Sequence, residues 1–284
     1  MPDLSIAIVT YNSEKCIEKC IGSIIGHIGG GLSYWLYVID NNSRDRTVDL
    51  VKGFMTGKAA DETADEAVDE ASDKAVDKAA GEATDKITLI QNSKNIGFGA
   101  AHNQVLGMLD SRYHLVVNPD ITIVNDCIAE MAAYMDKHPD IGLLSPLIKY
   151  PDGRIQYLCK RNPTFWDLFI RLAFPRSFTK RRHYFEMRET GYDKEFEIEY
   201  ATGCFMLFRT ETFKRINGFD ENFFLYLEDA DITRRVNQIS KTVFYPYNYV
   251  VHEWQRGSHK SLKLALVNIK SAAYYFRKWG FRLY

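Results

Sequence analysis

The chain has 284 residues, 46 % of them hydrophobic and 26 % charged, with a formal net charge of −1. That composition excludes fibrous and wholly disordered classes and suits one large soluble α/β domain with appendages. The charge is uneven: residues 60–86 carry ten acids and three lysines, which leaves the rest of the chain at +6, a balance suited to an anionic ligand such as a nucleotide diphosphate or to an anionic membrane face. Met1–Val9 lacks the basic and long apolar regions of a secretion signal, and no stretch reaches the roughly 18 uncharged apolar residues of a membrane span, so the sequence reads as cytoplasmic. Cys16, Cys20, Cys127, Cys159 and Cys204 are odd in number and scattered, which favours packed thiols over a disulfide framework or a metal pair.

Taken in order, Leu4–Val9 reads as a buried strand that stops at Thr10-Tyr11-Asn12-Ser13. Ser13 can cap a helix whose Ile17, Ile21, Ile24, Ile25 and Ile28 fall at helical spacing up to Gly29-Gly30-Gly31. Tyr34–Ile39 is a second strand, followed by the polar turn Asp40-Asn41-Asn42-Ser43-Arg44-Asp45 and a helix over Thr47–Phe54. Two βα units thus end in polar residues on one edge of a parallel sheet, the edge where open α/β sheets bind ligands. Residues 60–86 break the rhythm with a four-residue repeat, as in Val68-Asp69-Glu70-Ala71 and Val76-Asp77-Lys78-Ala79. Alanine at every fourth position makes a stripe too thin to bury a core, so residues 58–86 read as an acidic insertion, helical or disordered.

Ile87–Ile90 resumes the pattern, and the following Asn92–Asn103 contains Gly97 and Gly99, which either admit a ligand close to the backbone or form a helix entry turn. Their spacing is not that of a dinucleotide fingerprint. Leu115-Val116-Val117-Asn118-Pro119-Asp120 comes next. Its apolar triplet suits a strand buried on both faces, and Pro119, without an N–H, ends the strand with Asp120 at its carboxyl tip. Ile128–Met135 is a helix and Gly142–Leu147 a strand. Between Pro151 and Arg188 lie an aromatic run over Phe165–Phe174 and the cations Arg171, Arg176, Lys180, Arg181, Arg182 and Arg188, a cluster that suits a phosphorylated lipid or membrane surface as well as a solvated loop. After a strand at Ala201–Arg209, the carboxylates of Glu228-Asp229-Ala230-Asp231 follow the apolar Phe223-Phe224-Leu225-Tyr226-Leu227. Crowded carboxylates beside an apolar wall raise at least one pKa, the condition a general base needs; alternatively Glu228 and Asp231 cap the next helix, with Arg234 and Arg235 as partners.

Seven segments in this order, Val9–Ser13, Val38–Ser43, Asn95–Gly99, Asn118–Asp120, Gly203–Met206, Gly218–Phe224 and Glu228–Asp231, resemble the inverting glycosyltransferases of family 2, and within them the rhamnosyltransferase-like members. The resemblance implies a GT-A fold, a nucleotide-diphosphate-sugar donor such as dTDP-rhamnose, a glycan or lipid-linked acceptor of cell-surface polysaccharide synthesis, and Mg2+ or Mn2+. It places Thr10, Tyr11, Asn12, Asp40, Asn42, Gly97, Asn103, Asn118 and Asp120 on the donor. Asp120 matches the metal-reaching carboxylate of the family's Asp-x-Asp motif, whose first position is here Asn118. Asp229 matches the catalytic base, His252 a histidine that completes the metal site, and Glu228, Asp231 and Phe224 fall to the acceptor. The implied organisation is a transferase domain over 1–255, with a nucleotide-binding half (1–125) and an acceptor-binding half (126–255), and an amphipathic helical tail over 256–284.

That tail, with Leu262, Leu266, Ile269, Ala273 and Phe276 at helical spacing among lysines and arginines, suits either an interfacial helix at the inner face of the cell membrane or one docked on its own domain. No nucleic-acid-binding pattern is present. A nucleotidyltransferase would need a Gly-rich, lysine-containing signature where Thr10–Lys15 stands, and a catalytically silent sugar-nucleotide-binding protein would not need Glu228–Asp231 intact.

Overall fold

The structure, a computed structural model, describes residues 1–28, 31–57, 86–174, 177–253 and 262–284. The acidic insertion lies outside these residues except for Lys86, as do Arg176 and the junction at 254–261. Strands β1 (Leu4–Thr10), β2 (Tyr34–Asp40), β3 (Ile87–Gln91) and β4 (Tyr113–Val117) form the parallel half of a mixed sheet, in the order β3-β2-β1-β4. The sheet continues through β10 (Phe205–Arg209), β6 (Ile141–Lys149), β11 (Lys241–His252) and β5 (Ile121–Ile123), with β8 (Phe196–Glu197) beside β11. A separate ribbon pairs β7 (Cys159–Lys160) with β9 (Tyr200–Ala201). The helices are α1 (Ile17–His27), α2 (Thr47–Thr56), α3 (Phe98–Asn103), α4 (Cys127–Lys137), α5 (Phe165–Ala173), α6 (Thr179–Phe185), α7 (Thr210–Arg215), α8 (Glu228–Val236) and α9 (Leu262–Trp279).

Both faces of the sheet are buried, which is why its strands read as continuous apolar runs. Leu4, Ile6 and Ile8 of β1 join the core under α1, α2 and α4, while Ala7 joins a second core under α3, α7 and α8. The expected parallel order holds through β4 and returns where β11 runs parallel to β6, with β10 reversed between them. β10 runs antiparallel to both β4 and β6, and this reversal has a positional consequence. Phe205 opposes Val117, and the Asn118 N–H donates to the Cys204 carbonyl at 2.9 Å, so the start of β10 lies at the carboxyl tip of β4. β5 then folds back against β11 with Ile121 opposite His252, and the Glu253 N–H donates to the Asp120 carbonyl at 3.0 Å. Strand register alone brings Asn118, Asp120, Gly203 and His252 to one edge.

The tail helix α9 packs on its own domain. Tyr275 is buried beside Phe223, Leu227 and Ala230, the Ser271 hydroxyl donates to the Leu225 carbonyl at 2.8 Å, and Lys278 reaches Asp220 at 2.6 Å. Leu266 and Ile269 stay exposed on its outer side. Among the described residues, no helix is long and apolar enough to cross a membrane.

Candidate active site

A cavity of about 360 Å³ opens at this edge, lined by Asn118, Asp120, Glu228, Asp229 and His252 together with Phe98, Lys160, Tyr200, Thr202, Gly203 and Cys204. Leu225, Tyr226 and Leu227 form one wall, and Leu264, Ala265 and Asn268 of the tail helix close another. Tyr226 and Leu227 both take left-handed backbone, with φ of 72° and 67°, immediately before α8. Two such non-glycine residues in a row are strained, and strain of this kind is kept where it aims a functional group. Here it turns the chain so that α8 begins with Glu228 and Asp229 inside the cavity.

Asp229 is held by backbone donors: its Oδ2 accepts from the Gly203 N–H at 3.1 Å and its Oδ1 from the Ala230 N–H at 3.0 Å. A Cβ on Gly203 would lie 3.3 Å from the Cβ of Asp229, so that glycine sets the approach. Glu228 is only 5 % exposed, and its Oε2 has no hydrogen-bond partner among the described residues. Burial, and then the neighbouring Asp229, push its carboxyl well above the usual carboxylate range. Burial thus disfavours the charged form of Glu228. Burial, with the Asp229 carboxylate nearby, also raises the Tyr200 phenol.

Across the cavity, His252 Nε2 lies 3.3 Å from Asp120 Oδ1. The Gln156 side chain fixes the ring: its Nε2 donates to the His252 carbonyl at 2.7 Å, which leaves its Oε1, 2.9 Å from Nδ1, to accept the Nδ1–H. Nε2 then presents a lone pair to Asp120 Oδ1, a buried oxygen with no donor of its own among the described residues. With a neutral ring, acceptor faces acceptor, an arrangement that either a proton on Nε2 or a cation between them resolves. Carboxylate plus imidazole is a donor set that Mn2+ accepts. Among the described residues no group of three or more His, Cys, Asp or Glu is placed to hold a metal, so the remaining ligands would come from a diphosphate and water.

Among the other residues expected on the donor, Thr10, Asn12, Asp40 and Asn103 act as braces. Thr10, fully buried, donates to Asp40 Oδ1 at 2.9 Å, and Asp40 also accepts from the Ser43 N–H at 2.9 Å and hydroxyl at 2.5 Å. At 2 % exposure, Asp40 staples the tips of β1 and β2 and has no open face for a base. Tyr11 and Asn42 are exposed at those tips, and Asn12 Oδ1 accepts from the Arg44 N–H at 2.8 Å. Asn103 is spent on one loop: its Nδ2 donates to the Phe219 carbonyl at 2.8 Å and to Glu221 at 3.0 Å, while its Oδ1 accepts from the Phe219 N–H at 2.8 Å.

Gly97 makes room for the chain itself rather than for a ligand. Its φ is +95°, a Cβ there would meet the Phe224 carbonyl oxygen at 2.5 Å, and the next N–H, from Phe98, donates to that oxygen at 3.0 Å. Gly97→Ala is therefore expected to lower unfolding free energy by at least about 2 kcal/mol, from overpacking plus a disfavoured backbone, read by urea denaturation. Phe224 itself is 42 % exposed and lies outside the cavity lining.

Asp231 corrects the acceptor assignment most clearly. It is 0 % exposed, its Oδ2 pairs with Arg235 at 2.8 Å, and its Oδ1 takes Lys278 at 2.7 Å and the Trp279 indole N–H at 2.8 Å. It anchors the tail helix to α8. Asp231→Ala strands those cations and is expected to cost about 3–5 kcal/mol of stability, measured by chemical denaturation. Lys160, Gln156 and Thr202 were not foreseen, since single polar residues between short extended pieces carry no periodic or motif signal.

The family model described as glycosyl transferase family 2 matches residues 5–63 and 64–216. The chain belongs to glycosyltransferase family 2. A second model, described as the N-terminal domain of galactosyltransferase, matches residues 181–257, the stretch that carries Gly203, Glu228, Asp229 and His252. Among curated proteins, this family 2 chain is 25 % identical over 182 residues to N-acetylglucosaminyl-diphospho-decaprenol L-rhamnosyltransferase of Mycobacterium tuberculosis, covering 58 % of either chain. It is also 25 % identical over 165 residues to rhamnosyltransferase WbbL of Escherichia coli, covering 55 % of this chain and 60 % of that one. The match thus spans about three-fifths of the length of these relatives. The fold is similar to that of the mannosyltransferase PcManGT from Pyrobaculum calidifontis in complex with GDP-Man and Mn2+ (TM-score 0.60, 16 % identity, 98 % of this chain and 66 % of that one). It is likewise similar to S. aureus TarS 1–349 in complex with UDP-GlcNAc (TM-score 0.58, 16 % identity, 94 % and 66 %). These likenesses establish a GT-A type transferase fold.

Proposed function

We propose that the protein is an inverting glycosyltransferase that moves a sugar, rhamnose from dTDP-rhamnose as the first choice, onto a hydroxyl of a glycan or lipid-linked acceptor in cell-surface polysaccharide synthesis. The observation that carries this reading is the convergence, in one cavity, of a backbone-held carboxylate, Asp229, with the facing acceptors Asp120 and His252. Membership of family 2 supports it, as do the rhamnosyltransferase names of the curated relatives.

In this reading Asp120 and His252 would hold Mg2+ or Mn2+, with Asn118 beside them as a neutral neighbour. Such an ion would offset the negative charge that develops on the departing diphosphate. Asp229 takes the proton of the acceptor hydroxyl as its oxygen bonds to the anomeric carbon. The bond from that carbon to the diphosphate breaks on the opposite face, and the configuration inverts. Burial, and then Asp229, favour the protonated form of Glu228, the form that donates a hydrogen bond to an acceptor sugar. The tips of β1 and β2, braced by Thr10 and Asp40, form the platform for the nucleoside, with Tyr11 and Asn42 as its exposed side chains.

A thermal-shift screen of nucleotide sugars with Mn2+ tests the donor assignment. dTDP-rhamnose is expected to raise the melting temperature in a Mn2+-dependent way that EDTA abolishes, and to be consumed when acceptor is added. Stabilisation by a different sugar nucleotide would correct the donor, and no response to any of them would overturn the reading.

A further inference from the structure

We propose that a second cavity, contiguous with the first, binds the diphosphate of a lipid-linked acceptor. The inference rests on the glycosyltransferase reading and assigns the part of the acceptor that the sugar itself does not explain. The cavity is larger, about 660 Å³, and shares Lys160, Arg171, Thr202 and His252 with the candidate active site. Its wall carries Arg154, Lys160, Arg171, Arg181, Arg182 and Arg188 against the carboxylates Asp167 and Glu186. A concave site with such an excess of cations concentrates a multiply charged anion, and guanidinium forks match phosphate oxygens.

The cations differ in what they already hold. Arg181 pairs with Asp167 at 2.7 Å, Arg188 with Glu186 at 2.5 Å and Arg154 with Asp152 at 2.7 Å. Lys160 and Arg171 have no carboxylate within ion-pair distance among the described residues. Lys160 is only 6 % exposed; its ammonium donates to the Thr202 hydroxyl at 3.0 Å and lies 4.5 Å from the Tyr200 ring centre, so it keeps donors to spare. Burial, and then Arg171, lower its pKa to about 8, the direction expected of a site that lacks a counter-charge. Lys160 and Arg171 occupy the wall common to both cavities, where a diphosphate would set an attached sugar towards Asp229.

The lipid origin of the diphosphate is argued from the far side of α5. That helix faces the cavity with Asp167, Ile170 and Arg171, and exposes Phe165 and Phe169 on its other side. Phe174 and Phe178 continue the exposed row, with ring centres 5.9 and 6.0 Å apart along it, and Phe281 of the tail stands 5.8 Å from Phe165. Aromatic rings beside a basic cavity suit the boundary of an anionic bilayer, where a lipid-linked diphosphate resides.

Titration calorimetry of the full chain with geranyl diphosphate, in EDTA so that no divalent ion bridges the probe to Asp120, tests the site without donor or turnover. Saturable binding at one site per chain is expected, weakened at least tenfold by Lys160→Met and by Arg171→Gln. Arg171 is exposed, so the second variant decides the matter should the first fail to fold. Inorganic pyrophosphate is expected to bind at least fivefold more weakly than the prenyl form. Absence of binding, or binding insensitive to Arg171→Gln, overturns the site, and equal affinity for pyrophosphate overturns the lipid origin. Because donor consumption is measured separately, a failure of the glycosyltransferase reading and a failure of this site give different results.

Discussion

Asp229→Asn is expected to lower turnover by about 10²–10⁴-fold, the usual worth of a positioned general base, while the Michaelis constant for the donor changes less than twofold. The amide keeps the shape and can still accept from the Gly203 N–H, which now donates to Oδ2 at 3.1 Å, so the loop before β10 should stay in place. What it loses is the ability to take a proton and the second acceptor, the one that now faces the Ala230 N–H. Steady-state kinetics at saturating acceptor separate the effects, because a change confined to kcat reports chemistry and a matched rise in KM reports binding. The adjacent Glu228 is a poor substitute. Its carboxyl is held well above the ordinary range by burial and by Asp229 itself, and without that charge beside it some of the upward pressure relaxes. Glu228→Gln should therefore be milder than Asp229→Asn, with its effect chiefly on acceptor affinity.

Asp120→Ala is expected to lower kcat/KM for the donor by roughly a thousandfold, since a cation opposite a leaving diphosphate contributes several kcal/mol, or about 4 kcal/mol here. Asp120 is the sole carboxylate at the tip of β4, with Asn118 in the position before the proline. The residual rate should be indifferent to EDTA, and thermal stabilisation by Mn2+ with dTDP should disappear. Gln156→Leu should act more weakly through His252, because loss of the Oε1 contact at 2.9 Å frees the ring to present either nitrogen. A wild-type metal response in Asp120→Ala would remove the carboxylate from the role given to it.

Two segments of the cavity lining carry a local signal in the sequence. Asn118-Pro119-Asp120 announces a strand end, and Glu228–Asp231 crowds acids against aromatics. Residue type read locally does not reveal partners. Asp40 and Asn103 have the chemistry of ligand-binding groups, yet Thr10 and Phe219 engage them across chain distances that no pattern encodes. Gly97 illustrates the same limit, since a glycine that admits a ligand and one that admits the Phe224 carbonyl look alike in sequence. Asp231 shares a helix turn with the candidate base, but its direction around α8 points it at Lys278 and Trp279. Antiparallel β10 was beyond reach for a related reason: an apolar run fixes a strand and its burial, while its direction depends on the ribbon and helices traversed between β6 and Phe205. That unforeseen direction is what brings Gly203 and Asp229 to Asp120.

The most direct test of the account is pulsed electron paramagnetic resonance of Mn2+ bound to the full chain in the presence of dTDP. A single Mn2+ coupled both to phosphorus and to an imidazole nitrogen is predicted, with the nitrogen coupling lost in His252→Ala, the bound ion lost in Asp120→Ala, and both retained in Asp229→Asn. A fully hydrated ion, or a bound ion whose couplings are indifferent to Asp120 and His252, would contradict the placement of the donor diphosphate at this edge of the sheet.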